Sequence, residues 1–437
     1  MPTHQGVKHT GATLSHAASW YAASANSSPA RQPLRGEIHC DVCVVGAGFT
    51  GISAALHLAE KGLDVVVLEA ARVGYGASGR NGGQIVNSYS RDMDVIEDKY
   101  GAETARALGD MAFEGNRIIR ERIASYDIEC DLRERNLFAA CNARQLQGLK
   151  AHQALWRRYG HDQLELLEGK AYRREIGSDR YTGALVDHSG GHLHPLNLVL
   201  GEAAAFESLG GKIFEHSPVI SLVHGQTVTV KTADGRVHAD RVVMAGNAYM
   251  SGVMPALEGK SMPCGTQIIA TEPLGEDLAR TLLPNDIAVE DCNYLLDYYR
   301  LTRDNRLIYG GGVNYGNAGP ANIEAVIRPK MLKTFPQLKD VRVDYAWSGN
   351  FLMTLNRLPQ FGVINDNVYY AQGYSGHGVT CTHLAGRLIS EVMTGRDERF
   401  DAFAGLPHLP FPGGRLLRVP LSAMGAWYYE TRDKLGI

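Results

Sequence analysis

A glycine-rich segment near the beginning of the chain carries the clearest chemical signal. Gly46, Gly48 and Gly51 follow the apolar run 42–45, and the next apolar run ends at Glu69. In a strand–turn–helix–strand unit, the first glycine makes a tight turn, the second lets the backbone approach a pyrophosphate, and the third lets the helix pack closely on the strand. An acid at the end of the second strand is placed to bond a ribose hydroxyl. The spacing therefore predicts a dinucleotide site, with a glycine-rich turn of an ordinary doubly wound sheet as the alternative.

The free N–H groups at the start of the helix would face the phosphates. The residues expected to bind the nucleotide in this part of the chain are Gly46, Ala47, Gly48, Phe49, Thr50, Gly51, Glu69 and Ala70. Val219 and Gly246, which belong to later predicted strands, are expected to contribute as well.

A second glycine turn precedes a predicted helix near the end of the chain. Its residues are Gly373, Ser375, Gly376, His377 and Gly378. One fingerprint alone does not separate NAD from FAD, but two glycine-led helix starts favour FAD. A flavin ring gathers negative charge when it accepts a hydride, and the positive end of a helix stabilises that charge. The alternative is another glycine-rich loop without a ligand.

The route of the electrons follows from what the chain lacks. No second GxGxxG opens a predicted helix as a site for a nicotinamide nucleotide, and no cysteine set is spaced for an iron–sulfur cluster. We therefore expect a substrate to supply the electrons and a diffusible acceptor to take them. Molecular oxygen is the simplest such acceptor.

The composition excludes several classes of protein. A length of 437 residues suggests two domains, and a net charge of −3 gives no footprint for nucleic acid. No apolar run approaches the roughly 20 residues of a membrane span. The first 39 residues lack the apolar core of a secretory signal, and the seven cysteines are scattered. The sequence thus predicts a cytoplasmic enzyme with reduced thiols, and it leaves the oligomeric state open.

The order of predicted elements indicates an α/β fold: an FAD-binding Rossmann-like domain with an inserted mixed-sheet α+β substrate domain. The expected FAD-binding domain combines residues 38–91, 186–248 and 340–405. The expected substrate domain combines 92–185, read as helical to about residue 175, and 249–339. An N-terminal extension (1–37), anchored through Trp20 and Tyr21, and a C-terminal tail (406–437) complete the prediction.

Taken together, these motifs resemble the flavoprotein family of D-amino-acid oxidase, glycine oxidase and monomeric sarcosine oxidase. The resemblance covers about residues 38 to 405, and its carriers are the segments 46–51, 245–247, 347–349, 359–362 and 373–378 with Glu69. A narrower group in the family, which oxidises gamma-glutamylputrescine in putrescine catabolism, is similar over long runs outside the nucleotide fingerprint. These runs include 19–25, 76–84, 187–197, 290–300 and 400–414.

The resemblance implies oxidation of the free amine of gamma-glutamylputrescine or a related gamma-glutamylated polyamine. The products would be the aminoaldehyde, ammonia and hydrogen peroxide. It also implies FAD contacts from a loop and from a helix start. The loop contacts would be Ser78, Gly79, Arg80, Asn81, Gly82, Gly83 and Gln84, and the helix-start contacts would be Gly376, His377, Gly378, Val379 and Thr380. No cysteine matches the covalent flavin link of some sarcosine oxidases, so non-covalent FAD is expected.

Tyr298, Arg300 and His377 are the candidates for the catalytic site. Read as one strand, 291–302 places Tyr294, Tyr298 and Arg300 on one face. Arginine can hold the glutamyl carboxylate in a two-pronged pair, and tyrosine rings can line an aminoalkyl chain. His377 is the best titratable candidate beside the ring. For each residue the alternative is a structural role.

Two other functions remain open at this stage. One is a dehydrogenase of the same fold that passes electrons from an amine or amino acid to a quinone or carrier. The other is a flavin-binding regulatory protein without enzymatic activity. The tail contains a weakly amphipathic helix with Met424, Trp427 and Tyr428, which we expect to cover the body of the protein rather than a membrane.

Overall fold

The computed structural model describes residues 14–250, 252–316 and 319–435, and its strands form two sheets. The strands are β1 (Gly36–Val45), β2 (Val65–Leu68), β3 (Gln84–Ile85), β4 (Arg133–Ala140), β5 (Leu164–Glu168), β6 (Gly183–His192), β7 (Lys212–Phe214), β8 (Ser221–Val223), β9 (Val228–Lys231), β10 (Gly235–Met244), β11 (Ser261–Thr271), β12 (Ala288–Asp291), β13 (Asp297–Leu301), β14 (Leu307–Tyr315), β15 (Val343–Thr354), β16 (Gln360–Ile364) and β17 (Val368–Gln372).

The first sheet is mostly parallel and contains the predicted nucleotide-binding unit. Its order is β16-β17-β10-β1-β2-β7, with β8 and β9 attached beside β10. β1 pairs in parallel with β2 and β10, while β16 pairs antiparallel with β17 at the edge. The residues 42–45 of β1 are buried, as expected for a parallel strand covered on both faces.

The second sheet is mixed and carries the other wall of the site. Its order is β15-β11-β14-β13-β12-β4-β6-β3, with β5 paired to β6. The long strands β11, β14 and β15 are antiparallel, whereas β12 runs parallel to β4. This arrangement confirms the predicted fold class.

Helices cover the faces of both sheets. They are α1 (Trp20–Ala23), α2 (Phe49–Ala59), α3 (Met93–Tyr100), α4 (Ala102–Met111), α5 (Glu114–Ser125), α6 (Ala143–Arg158), α7 (Pro195–Ser208), α8 (Pro255–Glu258), α9 (Glu276–Leu282), α10 (Ile323–Thr334), α11 (Gly378–Met393), α12 (Glu398–Ala404) and α13 (Gly414–Leu435). The two helices that follow the predicted glycine turns, α2 and α11, pack directly on each other. At Gly386 of α11 a Cβ atom would lie 2.4 Å from the Ser53 hydroxyl oxygen of α2.

Several sequence expectations need correction. The region read as helical to about residue 175 contains the strands β4 and β5. The predicted strand 291–302 is broken by a turn between β12 and β13. The strands β6 and β15 both belong to the second sheet, although most of their residues fall in the predicted FAD-binding domain. A division of the chain by sheet therefore differs from the predicted domain boundaries. These strands pair with distant segments, which local periodicity does not reveal.

The two ends of the chain behave differently. Trp20 and Tyr21 are buried, which confirms that they anchor the N-terminal extension, whose residues 1–13 lie outside the described part. The tail helix α13 contacts the body through its first turns, where Arg418 donates to the carbonyl oxygens of Glu258 and Ser261. Farther along the helix, the side chains of Met424, Trp427 and Tyr428 are exposed, with Trp427 at 69%. The expectation that the tail helix covers the body is therefore wrong for the later part of α13.

A search of the described residues for a membrane span found no helix that combines the required length and apolarity.

Candidate active site

A cavity of about 1510 Å³ lies between the two sheets and joins both predicted glycine turns. The first sheet lines it with the ends of β1, β2 and β10, and the second sheet lines it with residues of β11 to β15. Its volume exceeds the roughly 300–1,000 Å³ of an ordinary small-molecule site. The cavity is large enough for a dinucleotide and a substrate together.

The first glycine turn has the backbone that the sequence predicts. Gly46 has a φ of +106°, and a Cβ there would lie 3.0 Å from the backbone of Ala245 at the end of β10. A Cβ at Gly51 would lie 1.9 Å from the Gly46 carbonyl oxygen. These contacts confirm a tight turn and a close helix–strand approach. Gly48, which begins α2, faces the Ser78 hydroxyl instead of open space.

Two side chains hold the nucleotide-binding turn in place. The Glu69 carboxylate accepts hydrogen bonds from the backbone N–H groups of Ala47 (2.7 Å) and Ala71 (2.9 Å), and it also lines the cavity. Burial raises the pKa of Glu69, while these two amides lower it. The Ser78 hydroxyl accepts from the Phe49 N–H at 2.8 Å. These hydrogen bonds within the protein thus hold the first turn of α2 in place without a ligand.

The second glycine turn also lines the cavity, through residues 375–378. Gly373, Ser375 and Gly376 all have positive φ values, and His377 precedes the first residue of α11. Burial lowers the pKa of His377 to about 4; Asp92 opposes this shift, whereas His152 and Arg357 add to it. Within the described residues the His377 Nδ1 atom is buried without a hydrogen-bond partner. A neutral imidazole with an unused nitrogen can form a hydrogen bond with a polar ligand. It does not supply a positive charge to the site.

Most predicted cofactor residues line this cavity. They are Gly46, Gly48, Phe49, Thr50, Glu69, Ala70, Ser78, Arg80, Asn81, Gly82, Gln84, Val219, Gly246, Ser375, Gly376, His377, Gly378, Val379 and Thr380. Ala47, Gly51, Gly79, Gly83 and Gly373 lie behind this lining. Gly83 shows why: a Cβ there would lie 2.2 Å from the Leu193 carbonyl oxygen, so the residue supports the loop from behind. The Thr380 hydroxyl donates to the Val86 carbonyl oxygen, so toward a ligand it can only accept a hydrogen bond.

Arg300 does not have the role that the sequence suggested. It is buried and outside the cavity lining. Its guanidinium donates to the carbonyl oxygens of Gly82, Leu301 and Leu193 and to the Tyr21 hydroxyl. These partners leave it unable to grip a substrate carboxylate. The prediction was wrong because three of the partners lie far from Arg300 in the sequence.

Tyr298 does line the cavity. Its ring packs on Gly82, where a Cβ would lie 2.8 Å from the ring, and its hydroxyl hydrogen-bonds with Thr266. The opposite face of β13 points away, because Tyr299 is fully buried in a separate apolar cluster. The structure therefore decides which face of this strand meets the cofactor loop.

Glu290 and Arg357 are charged residues of the cavity that escaped the sequence analysis. Glu290 of β12 lies opposite Tyr298 in the strand pairing and lines the cavity. Arg357 lies in the turn between β15 and β16, has a φ of +64° and donates to the Tyr294 hydroxyl at 2.9 Å. The only sequence signal for Glu290 was an acid directly after the apolar residues Ala288 and Val289. Arg357 gave no local signal.

The donor set and shape of the site fit FAD. Gly46, Gly48 and the start of α2 would hold the pyrophosphate, with Glu69 at the ribose. Gly82, Gln84 and the start of α11 would hold the ring system, where the unpartnered His377 nitrogen is found. No group of three or more His, Cys, Asp or Glu side chains in the described residues is arranged to hold a metal ion.

Comparison with known proteins agrees with this geometry. Residues 41–392 match the DAO family, described as FAD dependent oxidoreductase. The chain is 63% identical over 423 residues to the gamma-glutamylputrescine oxidoreductase of Escherichia coli K12, covering 97% of this chain and 99% of that protein. It is 42% identical to the probable oxidoreductase OrdL of Haemophilus influenzae, covering 96% of this chain and 98% of the relative.

Solved structures share the fold at low sequence identity. Glycine oxidase from Geobacillus kaustophilus aligns with a TM-score of 0.68 at 20% identity, covering 82% of this chain and 95% of that one. L-Proline dehydrogenase from P. horikoshii aligns with a TM-score of 0.69 at 20% identity, covering 92% and 99%. One neighbour is named an oxidase and the other a dehydrogenase, so the fold alone does not determine the electron acceptor.

Proposed function

This chain belongs to the DAO family of FAD-dependent oxidoreductases, and on that premise we propose that it oxidises the free amine of gamma-glutamylputrescine. The products are the aminoaldehyde, ammonia and, with oxygen as acceptor, hydrogen peroxide. The single observation that carries this proposal is the 63% identity with a gamma-glutamylputrescine oxidoreductase along almost the whole of both chains.

The chemistry of the site supports an amine substrate. Bound FAD supplies a two-electron acceptor for the hydride that leaves the carbon beside the nitrogen. The chain itself must orient the amine, exclude water and remove a proton, because only a neutral amine can release electron density. Tyr298 and Thr266 form one wall of the cavity next to Gly82. Because His377 has a lowered pKa and stays neutral, it adds no positive charge.

The glutamyl end of the substrate carries a carboxylate, and we assign its recognition to Arg357 instead of Arg300. Arg357 lines the cavity and bonds the Tyr294 hydroxyl, and its guanidinium carbon lies 5.8 Å from the centre of that ring. Among the described residues it has no ion-pair partner. A guanidinium with unused N–H groups in a largely enclosed cavity suits a two-pronged bond to a carboxylate.

An anaerobic bleaching screen tests the proposal. The yellow FAD-loaded protein is mixed without oxygen with gamma-glutamylputrescine, gamma-glutamylated longer polyamines or free putrescine, and flavin absorbance is followed. We expect gamma-glutamylputrescine to bleach the flavin at the lowest concentration. If none of these amines bleaches it, the protein is not this oxidoreductase and the regulatory alternative gains support.

Admitting air after bleaching identifies the acceptor. Rapid return of the yellow colour with one hydrogen peroxide per substrate supports oxygen as the acceptor. Slow return in air but fast return with a soluble quinone would instead support a dehydrogenase.

A further inference from the structure

Glu290 is a carboxylate inside the cavity without a described partner. It lies in β12, whose neighbouring residues Ala288 and Val289 are fully buried. Within the residues that the structure describes, no hydrogen bond or ion pair is formed by its carboxylate. The Glu290 side chain is only partly buried, because it borders the open cavity. A ligand that fills the cavity removes this carboxylate from water, and a charge removed from water needs a partner because the loss of hydration is costly. An unmet carboxylate in a ligand cavity therefore indicates a ligand group that meets it.

The neighbouring acid shows what a satisfied carboxylate looks like in the same strand. Asp291 points to the opposite face, where Arg180 lies 3.0 Å away and the N–H groups of Asn293 and Asp297 donate to it. The two adjacent acids of β12 thus have opposite surroundings. One is fixed inside the protein, and the other faces the cavity.

The position of Glu290 places it beside the flavin-binding loop. It pairs across the strands with Tyr298, whose ring packs on Gly82. The next residue back, Val289, accepts a hydrogen bond from the Gln84 side chain at 2.9 Å. The loop that holds the cofactor is therefore tied directly to the strand that carries Glu290.

The other carboxylates of the cavity are engaged elsewhere. Glu69 accepts from two backbone amides at the nucleotide end, and Glu258 accepts from the Gly252 N–H. Arg80 bonds the carbonyl oxygens of Tyr75 and Ser348. Glu290 remains the carboxylate at the Tyr298 end of the cavity, where an amine must lie to be oxidised.

We propose that Glu290 binds the terminal nitrogen of the substrate and takes one proton from its ammonium form before oxidation. This inference rests on the proposed function, because it requires an amine substrate. The carboxylate and the ammonium become a carboxylic acid and a neutral amine, with no change in oxidation state. The C–H bond beside the nitrogen then breaks, and its electron pair leaves with the hydrogen to FAD. Hydride loss from the neutral amine leaves an iminium ion, which water hydrolyses to the aldehyde and an ammonium ion, and Glu290 returns its proton to water.

The electrostatics of the two candidate bases support this assignment. Burial, with Asp291 adding to it, raises the pKa of Glu290 to about 7, which brings it closer to the roughly 10 of an alkylammonium. Burial lowers the pKa of His377 to about 4, so its imidazole is the poorer acceptor. A base whose pKa is nearer that of the proton donor loses less free energy in the transfer.

The test compares wild type with Glu290→Gln and Glu290→Asp, all loaded with FAD. Gln keeps the size of the side chain and removes the charge, and Asp keeps the charge on a shorter stem. In anaerobic bleaching by gamma-glutamylputrescine, we expect Glu290→Gln to raise the half-saturating concentration about tenfold or more and to slow the limiting rate at least tenfold. Glu290→Asp should recover part of both. Glu168→Gln, an exposed acid far from the cavity, is the matched control and should change neither.

Equal bleaching by wild type and Glu290→Gln, within twofold in both parameters, overturns the assignment. If gamma-glutamylputrescine does not bleach the wild type, the proposed function fails, and binding decides the role of Glu290. Calorimetric titration of the FAD-loaded proteins with putrescine should then show binding to wild type at least ten times tighter than to Glu290→Gln. Equal or absent binding in both overturns the inference. Yellow colour and a cooperative melting curve confirm that each variant is folded.

Discussion

At the scale of single residues, Glu290 and Arg357 are two opposite charges of the cavity, and we assign them different tasks. The Arg357 side chain donates a hydrogen bond to the Tyr294 hydroxyl. The Arg357 backbone has a positive φ, which is uncommon outside glycine and asparagine. Glu290 lies in β12, which leads into the turn containing Tyr294. A substrate with an amine at one end and a carboxylate at the other can satisfy both charges together.

Replacing Arg357 by Gln should reduce affinity only for carboxylate-bearing amines. We expect the half-saturating concentration of gamma-glutamylputrescine in anaerobic bleaching to rise about tenfold to a hundredfold, as for a lost charge-assisted pair. The value for free putrescine should change less than threefold. Arg303→Gln removes an exposed arginine outside the cavity lining and serves as the control. Equal losses for both amines would remove Arg357 from carboxylate recognition.

Glu290 should also make the free energy of unfolding depend on pH. Its folded-state pKa is raised, so the native protein binds this proton more tightly than the unfolded chain does. Stability is therefore lost as the pH rises from about 4.5 to about 7, and the cost levels off above that range at up to about 3 kcal/mol.

Glu290→Gln lacks this cost, so without substrate it should be more stable than wild type. The difference in unfolding free energy should be near zero at pH 4 and largest at pH 8, measured by urea unfolding across the pH range. A difference that is constant with pH would show that Glu290 does not titrate as described.

At the scale of secondary-structure elements, the two helices that begin at the cavity must keep a fixed distance from their strands. α2 has its closest approach at Gly51, where a Cβ would lie 1.9 Å from the Gly46 carbonyl oxygen. Backbone cannot yield as a flexible side chain does. The start of the helix must shift when a methyl group is added.

Gly51→Ala should therefore yield protein that binds FAD poorly. We expect at least a tenfold weaker Kd for FAD, measured by fluorescence quenching on titration into protein freed of cofactor. Gly148→Ala is the matched control, because Gly148 lies on an exposed face of α6 with open space around its Cβ position. That exchange should leave FAD affinity unchanged and slightly favour the helix. Normal FAD binding by Gly51→Ala would contradict the described packing.

Arg300 acts at the same scale, because it joins separate segments of the chain. It links β13 to the loop at Gly82, to Leu193 and to Tyr21 of α1. Arg300→Lys cannot reach all of these acceptors, so we expect a loss of about 2–4 kcal/mol in unfolding free energy. The ratio of half-saturating concentrations for gamma-glutamylputrescine and putrescine should stay within twofold of wild type. A selective loss for the carboxylate-bearing amine would restore the substrate role that the sequence suggested.

At the scale of the whole molecule, the cofactor site is formed jointly by the two sheets. Neither sheet encloses the cavity alone, since its lining alternates between the ends of β1, β2 and β10 and the strands β11 to β15. A ligand in this position contacts both sheets at once and should stabilise their association.

FAD should consequently stabilise the folded protein. At a free concentration about 100 times its Kd, the gain expected by mass action is about 2.7 kcal/mol. Cofactor-free protein should melt a few degrees lower than FAD-loaded protein in a single cooperative transition. Gly51→Ala should show little of this gain at the same FAD concentration. A melting temperature unaffected by FAD in wild type would place the nucleotide outside the cavity between the sheets.

The parts of the molecule that the sequence predicted correctly are those determined by contiguous residues. The strand–turn–helix at Gly46 to Gly51, the acid at Glu69 and the glycine turn before α11 each depend on φ values or close approaches within short segments. Such constraints are written in residue type and spacing. They were sufficient to identify the fold class and FAD.

The tertiary structure alone decided the roles of the charged residues. Arg300 is occupied because Leu193 and Tyr21 come to it from 107 and 279 residues away, and Arg357 meets Tyr294 across 63 residues. Glu290 and Asp291 are adjacent acids of the same strand, yet only one of them finds a cation in the folded chain. Whether a charge is satisfied depends on everything that packs around it, and local sequence does not contain that information.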